Sequence, residues 1–258
     1  MHRYGVRFGG IRRLYSADGL ERLRAAHVCV VGIGGVGSWA VEALARSGIG
    51  TLTLVDMDDI CVSNVNRQIH AVEAEIHKPK VETMAARVAT INPDCVVHAR
   101  REFLTAGSAA RILDTRYAFV LDAIDSVREK ALCVSLCRTL GLPVITSGGA
   151  GGRCDPTRVQ VDDLSRATHD RLLQSLRKTL RSDHGFPRGE KKFGVECVFS
   201  PEPPVFPQAD GSVCATRDAG ADPLKLDCRN GFGSATFVTG TFGFVAAARI
   251  VARVAAGT

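Results

Sequence analysis

His27-Val28-Cys29-Val30-Val31-Gly32-Ile33-Gly34-Gly35-Val36-Gly37 is an apolar run followed at once by a G-x-G-x-x-G turn. A continuous apolar run rich in β-branched residues predicts a strand buried on both faces, hence a parallel sheet. The spaced glycines have separate uses. Gly32 permits a tight turn, Gly34 lets a phosphate approach the backbone, and Gly37 lets the next helix pack on the strand. Residues 38–47 carry the helical period, and the free N–H groups that open such a helix attract an anion.

Downstream, Thr51-Leu52-Thr53-Leu54-Val55 is a second strand and ends at Asp56. Residues 80–91 form a helix closed by Asn92-Pro93, and 95–99 form a third strand. Residues 118–121 are a fourth strand ending at Asp122; 128–140 are a helix with Gly141 at its C-cap. Residues 143–146 are a fifth strand, ending in Ser147-Gly148-Gly149. Upstream, residues 16–25 read as a helix. Strand and helix alternate at βαβ spacing to about residue 150. The expected fold is therefore α/β, a doubly wound, Rossmann-like, mostly parallel sheet.

Beyond residue 150 the pattern changes. Residues 158–161 and 194–199 read as strands flanking a basic helix at 170–180, and the proline-rich stretch 201–220 reads as loop. Residues 231–256 are apolar with recurrent small residues, but Arg249 and Arg253 interrupt them, which favours a core or interface helix over a membrane span. The expected organisation is an ATP-binding region at 1–150 and a C-terminal α+β portion at 151–258 for substrate binding and dimerisation, in one continuous compact domain.

The strand ends carry the chemistry. Asp56 follows Gly37 by 19 residues, the place of a ribose-binding carboxylate. Arg67 and Lys80 lie further on, and two cations there suit a triphosphate better than a nicotinamide cofactor. Asp122-Ala123-Ile124-Asp125 ends the fourth strand. A carboxylate at that edge, facing phosphates, is a natural Mg²⁺ ligand.

Composition narrows the class. The 258 residues are 45% hydrophobic and 23% charged, which is globular and not disordered. Residues 1–19 lack the apolar core of a signal peptide, so a cytoplasmic location and reduced cysteines are expected. The nine cysteines include no C-x-x-C pair for zinc, and Cys133 with Cys137 reads as a buried structural pair. Formal net charge is +6. The excess is local: 165–192 holds eight basic residues against three acidic ones. That segment is either a solvated face or a surface for phosphate backbone.

Gly32 to Gly37, Asp56, Asn64 to Gln68, Lys80 and Asp125 resemble the ubiquitin-activating-like adenylating enzymes, which include the molybdopterin-synthase and thiamine sulfur-carrier adenylyltransferases. The resemblance implies that Asp56 holds the ribose, that Asn66, Arg67 and Lys80 hold phosphates, and that Asp125 holds Mg²⁺. It implies ATP and Mg²⁺ as cofactors and adenylation of a carboxylate with loss of pyrophosphate. The expected nucleotide-site set is Gly32, Gly34, Gly35, Gly37, Asp56, Asp58, Asn66, Arg67, Gln68, Lys80, Asp122 and Asp125. Arg67, Lys80 and Asp125 are its catalytic members, with Asp125 the metal ligand.

Two departures select a branch. The paired zinc motifs of sulfur-carrier activators are absent, and the N-terminal R-Y-x-R pattern is replaced by Arg7-Phe8-Gly9-Gly10. Arg7, Arg12 or Arg13 then has to reach across the dimer. With Asp122-Ala123-Ile124-Asp125-Ser126, Gly148-Gly149-Ala150-Gly151-Gly152, Cys197-Val198-Phe199-Ser200 and Cys228 before Gly231-Phe232-Gly233, the chain resembles the tRNA threonylcarbamoyladenosine dehydratases nearly end to end. That resemblance implies ATP-dependent cyclisation of the modification on adenosine 37, tRNA as partner, a homodimer, and a cysteine-desulfurase sulfur-acceptor protein as a further partner. No stable membrane association is expected.

Cys228 lies between Asp227 and Arg229, a polar setting that can stabilise a thiolate, and is the first candidate for a catalytic thiol. Cys197 and Cys214 are the alternatives, although ring closure requires no thioester. The rival functions are adenylation of a ubiquitin-like sulfur carrier, a nicotinamide-dependent oxidation, and tRNA binding without catalysis.

Overall fold

The structure is a computed structural model that describes residues 2–113, 117–208, 210–215 and 232–258. Two helices open the chain, α1 (His2–Arg7) and α2 (Gly9–Ala25). The α/β pattern follows as β1 (His27–Val31), α3 (Gly37–Arg46), β2 (Thr51–Val55), α4 (Lys80–Ile91), β3 (Val96–Arg100), α5 (Ala109–Ile112), β4 (Phe119–Asp122), α6 (Val127–Leu140) and β5 (Val144–Ser147). Then come β6 (Gln160–Asp163), α7 (Arg171–Asp183), β7 (Glu196–Phe199), a small pair β8 (Phe206–Pro207) and β9 (Val213–Cys214), and α8 (Thr236–Ala256).

One seven-stranded sheet carries the fold, in the order β3-β2-β1-β4-β5-β7-β6. All its neighbours are parallel except β6, which runs antiparallel to β7. β1 pairs with β2 on one side and β4 on the other, so the strand order reverses between β1 and β4. The crevice outside the carboxyl ends at such a switch point is where open α/β sheets bind ligands.

Side chains alternate across this sheet, as the strand period requires. Val28, Val30, Leu52, Leu54, Phe119 and Leu121 face a core shared with α2, α3, α4 and α8. Cys29, Val31, Val55 and Val120 face the opposite core, shared with α5, α6 and α7. Cys133 and Cys137 are fully buried in that second core.

The apolar C-terminal stretch is the single helix α8. It is long and apolar enough to cross a membrane, yet half of it is buried inside the protein. Val238, Phe242, Ala246 and Ile250 enter the core. Gly243 permits the close crossing with α3: a Cβ there would stand 2.5 Å from the Val36 carbonyl oxygen.

Three local readings shift. The N-terminal helix begins well before residue 16, and Ser16 marks a break within it, at φ 71° and ψ 174°. The Ser16 hydroxyl accepts from the Gly19 N–H at 3.2 Å and caps the second half. A 3₁₀ turn at Pro156–Arg158 displaces the following strand to Gln160–Asp163, because the Asp155 carboxylate captures the Thr157 N–H. The proline-rich loop holds the short β8–β9 ladder.

Candidate nucleotide site

The glycine turn is built as tightly as its sequence demands. Gly32 adopts φ +91°, and a Cβ there would lie 2.7 Å from the Ala123 carbonyl oxygen, so the β1 and β4 turns abut. A Cβ on Gly37 would lie 1.8 Å from the Gly32 carbonyl oxygen, which no side chain tolerates. Around Gly34 the nearest atom to an added Cβ is the Gln68 amide nitrogen at 3.9 Å, leaving its backbone open to a ligand.

Asp56 clamps this turn from β2. Its Oδ2 accepts from the Ile33 N–H at 2.7 Å and its Oδ1 from the Asp58 N–H at 2.9 Å. Burial raises the Asp56 carboxyl above its ordinary range, while the Lys80 charge and the two backbone donors pull it down. Lys80 opens α4 with its side chain buried and donates to Asp58 Oδ2 at 2.8 Å. Its backbone N–H also donates to the Asp58 carbonyl at 3.1 Å, so strand end and helix start are joined twice.

The loop carrying Asn66 and Arg67 is held from far along the chain. Trp39 Nε1 donates to the Arg67 carbonyl at 3.0 Å, and Thr239 of α8 donates to the same oxygen at 3.3 Å. The Thr236 hydroxyl donates to the Asn66 carbonyl at 2.5 Å, and Asn66 Nδ2 donates to the Ser234 carbonyl at 2.8 Å. The Arg67 guanidinium donates to the Ser63 carbonyl and to Asn66 Oδ1, at 2.7 and 3.1 Å. Gln68 is buried, and its Oε1 has no protein partner among the described residues. Sequence reasoning missed Trp39, Ser234, Thr236 and Thr239; the one available signal is that Trp39 is the only tryptophan.

Asp122 differs from the expectation that it faces the nucleotide. Its carboxylate is fully buried and accepts from Lys130 Nζ at 2.8 Å, Thr146 Oγ1 at 2.6 Å and the Ile124 N–H at 3.1 Å. It therefore shapes the β4 turn from beneath, while Asp125 stands exposed beyond it. Among the described residues no three His, Cys, Asp or Glu side chains cluster to hold a metal. A lone exposed carboxylate suits Mg²⁺, which keeps several waters and takes its remaining ligands from phosphates.

On the neighbouring strand, the loop after β5 is anchored by Asp170 and Arg153, another pair the sequence did not announce. Asp170 Oδ2 accepts from the Gly149 N–H at 2.9 Å and lies 3.6 Å from Arg153 Nη2. A Cβ on Gly148 would come within 2.2 Å of that same oxygen. The Arg153 guanidinium also donates to the Gly149, Gly151, His169 and Ser200 carbonyls.

The glycine turn, the Asp56 carboxylate, Arg67, Lys80 and the exposed Asp125 thus follow the carboxyl ends of β1, β2 and β4. The ThiF family model matches residues 10–254. The chain belongs to the ThiF family. A ThiF-family relative from Escherichia coli (strain K12), named tRNA threonylcarbamoyladenosine dehydratase, is 52% identical over 93% of this chain and 90% of its own. A solved structure named TcdA (CsdL) superposes with a TM-score of 0.92 at 48% identity, covering 100% of this chain and 97% of that one. A crystal structure of the E. coli tRNA N6-threonylcarbamoyladenosine dehydratase TcdA in complex with ATP matches at TM-score 0.87 and 46% identity, over 98% and 95% of the two chains.

In this ThiF-family chain the remaining candidates fall out unevenly. Arg7 donates to the Ile91 carbonyl at 2.6 Å, whereas Arg12 and Arg13 line an open groove beside Gly5 and Val6. Cys197 is buried in β7, where burial and nearby carboxylates push its thiol far above the ordinary range, which disfavours a thiolate there. Cys214 is exposed. Cys228 lies outside the described residues.

Proposed function

We propose that this protein catalyses the ATP-dependent cyclisation, with loss of water, of threonylcarbamoyladenosine at position 37 of tRNA. The observation that carries the reading is the near-full-length likeness to the named dehydratase, joined to an intact nucleotide-binding edge. The chemistry is coherent. A free carboxylate is a poor electrophile until one oxygen becomes part of a leaving group. Attack of that oxygen on the α-phosphorus of ATP forms the acyl-adenylate and expels pyrophosphate. An internal nucleophile of the same modification then attacks the acyl carbon, and AMP leaves with the oxygen. The ring closes because both groups are tethered at high effective concentration.

Each residue has a place in this scheme. Asp56 takes the ribose hydroxyls, and the Gly32–Gly37 turn presents backbone N–H groups to phosphate. Arg67 and Lys80 neutralise the charge that develops on the departing pyrophosphate, where fixed cations matter most. Asp125 would hold Mg²⁺, and the ion would supply positive charge against that of the phosphates. Cys228 remains the candidate thiol.

We further propose a homodimer in the cytoplasm. α8 exposes Phe237 and Phe244 one heptad apart on its outer face, at 58% and 47% of their surface. An apolar stripe on an otherwise core helix suits a second copy of the chain. Arg12 and Arg13, open on α2, are then the arginines available to reach a partner site.

Pyrophosphate release tests the reading. It should require tRNA carrying threonylcarbamoyladenosine and should ignore a ubiquitin-like sulfur carrier. Release that depends on the carrier and not on the tRNA would assign the protein to sulfur-carrier activation.

A further inference from the structure

A second cationic surface lies on α7, away from the nucleotide turn. Arg177, Lys178 and Arg181 of that helix and Arg188 of the segment after it line a groove of about 690 Å³, together with Gln174 and Ser175. The lining contains no carboxylate and no apolar side chain. Burial, with a lesser contribution from the adjacent Arg181 charge, lowers the Arg177 guanidinium from its ordinary value.

The groove is built, not incidental. Arg181 donates to the Pro187 carbonyl at 3.2 Å and to the Gly189 carbonyl at 3.3 Å, and its guanidinium lies 5.1 Å from the centre of the Phe193 ring. Phe186 and Phe193 are buried with ring centres 5.1 Å apart. These contacts fold the chain after α7 back on the helix and bring Arg188 to the groove. Arg177 is fixed by the Leu164 carbonyl at 3.4 Å. Of the eight basic residues in 165–192, Arg177 and Arg181 thus build the groove, while Lys178 and Arg188 are exposed in it.

Its distance from the chemistry is set by one helix. Asp170 caps α7 through the Leu173 N–H at 2.9 Å and holds the Gly149 N–H of the loop after β5 at the same distance. The start of α7 is therefore fixed to the sheet edge that carries the nucleotide site. At 1.5 Å per residue, positions 174–181 lie about 6 to 17 Å along the helix from that anchor. An RNA that delivers one nucleotide to the site must lay its neighbouring backbone over a surface within that reach.

We propose that this groove holds backbone phosphates of the tRNA while the target nucleotide occupies the site. The proposal rests on the tRNA reading above. A membrane surface is the less suitable occupant, because peripheral membrane sites combine cations with an inserting apolar side chain, and this lining has none.

Labelled tRNA titrated over a salt series tests it. For the Lys178→Gln/Arg188→Gln pair, affinity at low salt falls roughly 10- to 100-fold, and the slope of log affinity against log salt becomes shallower by about two units. ATP affinity and the unfolding midpoint stay at wild type, as they do for a charge-matched Arg3→Gln/Arg158→Gln control that also keeps tRNA affinity. If wild type binds tRNA and the groove pair binds it equally with an unchanged slope, the groove proposal is overturned alone. If wild type does not bind tRNA at all, the functional reading falls with it. Loss of binding to phosphatidylglycerol vesicles, with tRNA binding untouched, would likewise overturn the assignment to RNA.

Discussion

Asp122 Oδ2 and Lys130 Nζ stand 2.8 Å apart with neither side chain exposed to solvent, directly beneath the turn that presents Asp125. Removing one partner strands a buried charge, which costs about 3–5 kcal/mol, whereas replacing both by apolar groups is far cheaper. Lys130→Met is therefore expected to lower unfolding stability by that amount in urea melts. Asp122→Leu/Lys130→Met should recover most of it. Equal stability of Lys130→Met and wild type would remove the pair from the account.

Asp125→Ala is expected to abolish turnover while the unfolding free energy stays within about 0.5 kcal/mol of wild type, as exposed surface substitutions do. Asp125 is exposed, so its loss is expected to act on the proposed Mg²⁺ site and not on core packing. Mg²⁺ titration of activity is the check. An Asp125→Ala enzyme with wild-type activity and Mg²⁺ dependence would exclude Asp125 as the ligand.

Arg67→Ala and Lys80→Ala should lower kcat by 100-fold or more, on the order of 3 kcal/mol of transition-state stabilisation, with modest changes in ATP affinity. Lys80→Arg should rescue only partly, because the Lys80 ammonium fits a buried slot against Asp58. Asp56→Ala should instead weaken ATP binding, as expected of the proposed ribose carboxylate. Steady-state kinetics with calorimetric ATP affinities separate the two behaviours. Identical affinity losses in all three variants would contradict this division of roles.

His70 gives a pH signature. It is 2% exposed, and neither ring nitrogen finds a protein partner among the described residues. Burial, with the charges of Lys80 and Arg87, lowers its pKa to about 4. The unfolded chain binds this proton near pH 6.5, so the unfolded state is the more protonated between those values. Stability from this group is complete above pH 6.5 and is lost as pH falls towards 4. At pH 5 the loss is about 2 kcal/mol. Urea melts of wild type and His70→Leu at pH 7.5 and pH 5 check this: the variant should show that much less acid sensitivity.

What could be read from the sequence was local. The Gly32–Gly37 turn, the span of α4 and the left-handed Gly141 cap of α6 each follow from residues within one element. What could not be read was pairing across the fold. Asp122 sits at the end of a strand as a ligand would, and nothing nearby in sequence says that Lys130 and Thr146 occupy its oxygens. The clasp of Thr236 on the Asn66 loop spans 170 residues. Ser16 breaks a helix through a backbone conformation that no propensity assigns to serine.

The modified nucleoside itself tests the central claim most directly. The protein is incubated with ATP, Mg²⁺ and tRNA bearing threonylcarbamoyladenosine at position 37, and the nucleosides are weighed by mass spectrometry. The account predicts a nucleoside lighter by one water, formed only with ATP and accompanied by AMP and pyrophosphate. An unchanged nucleoside from active, ATP-binding protein would contradict it.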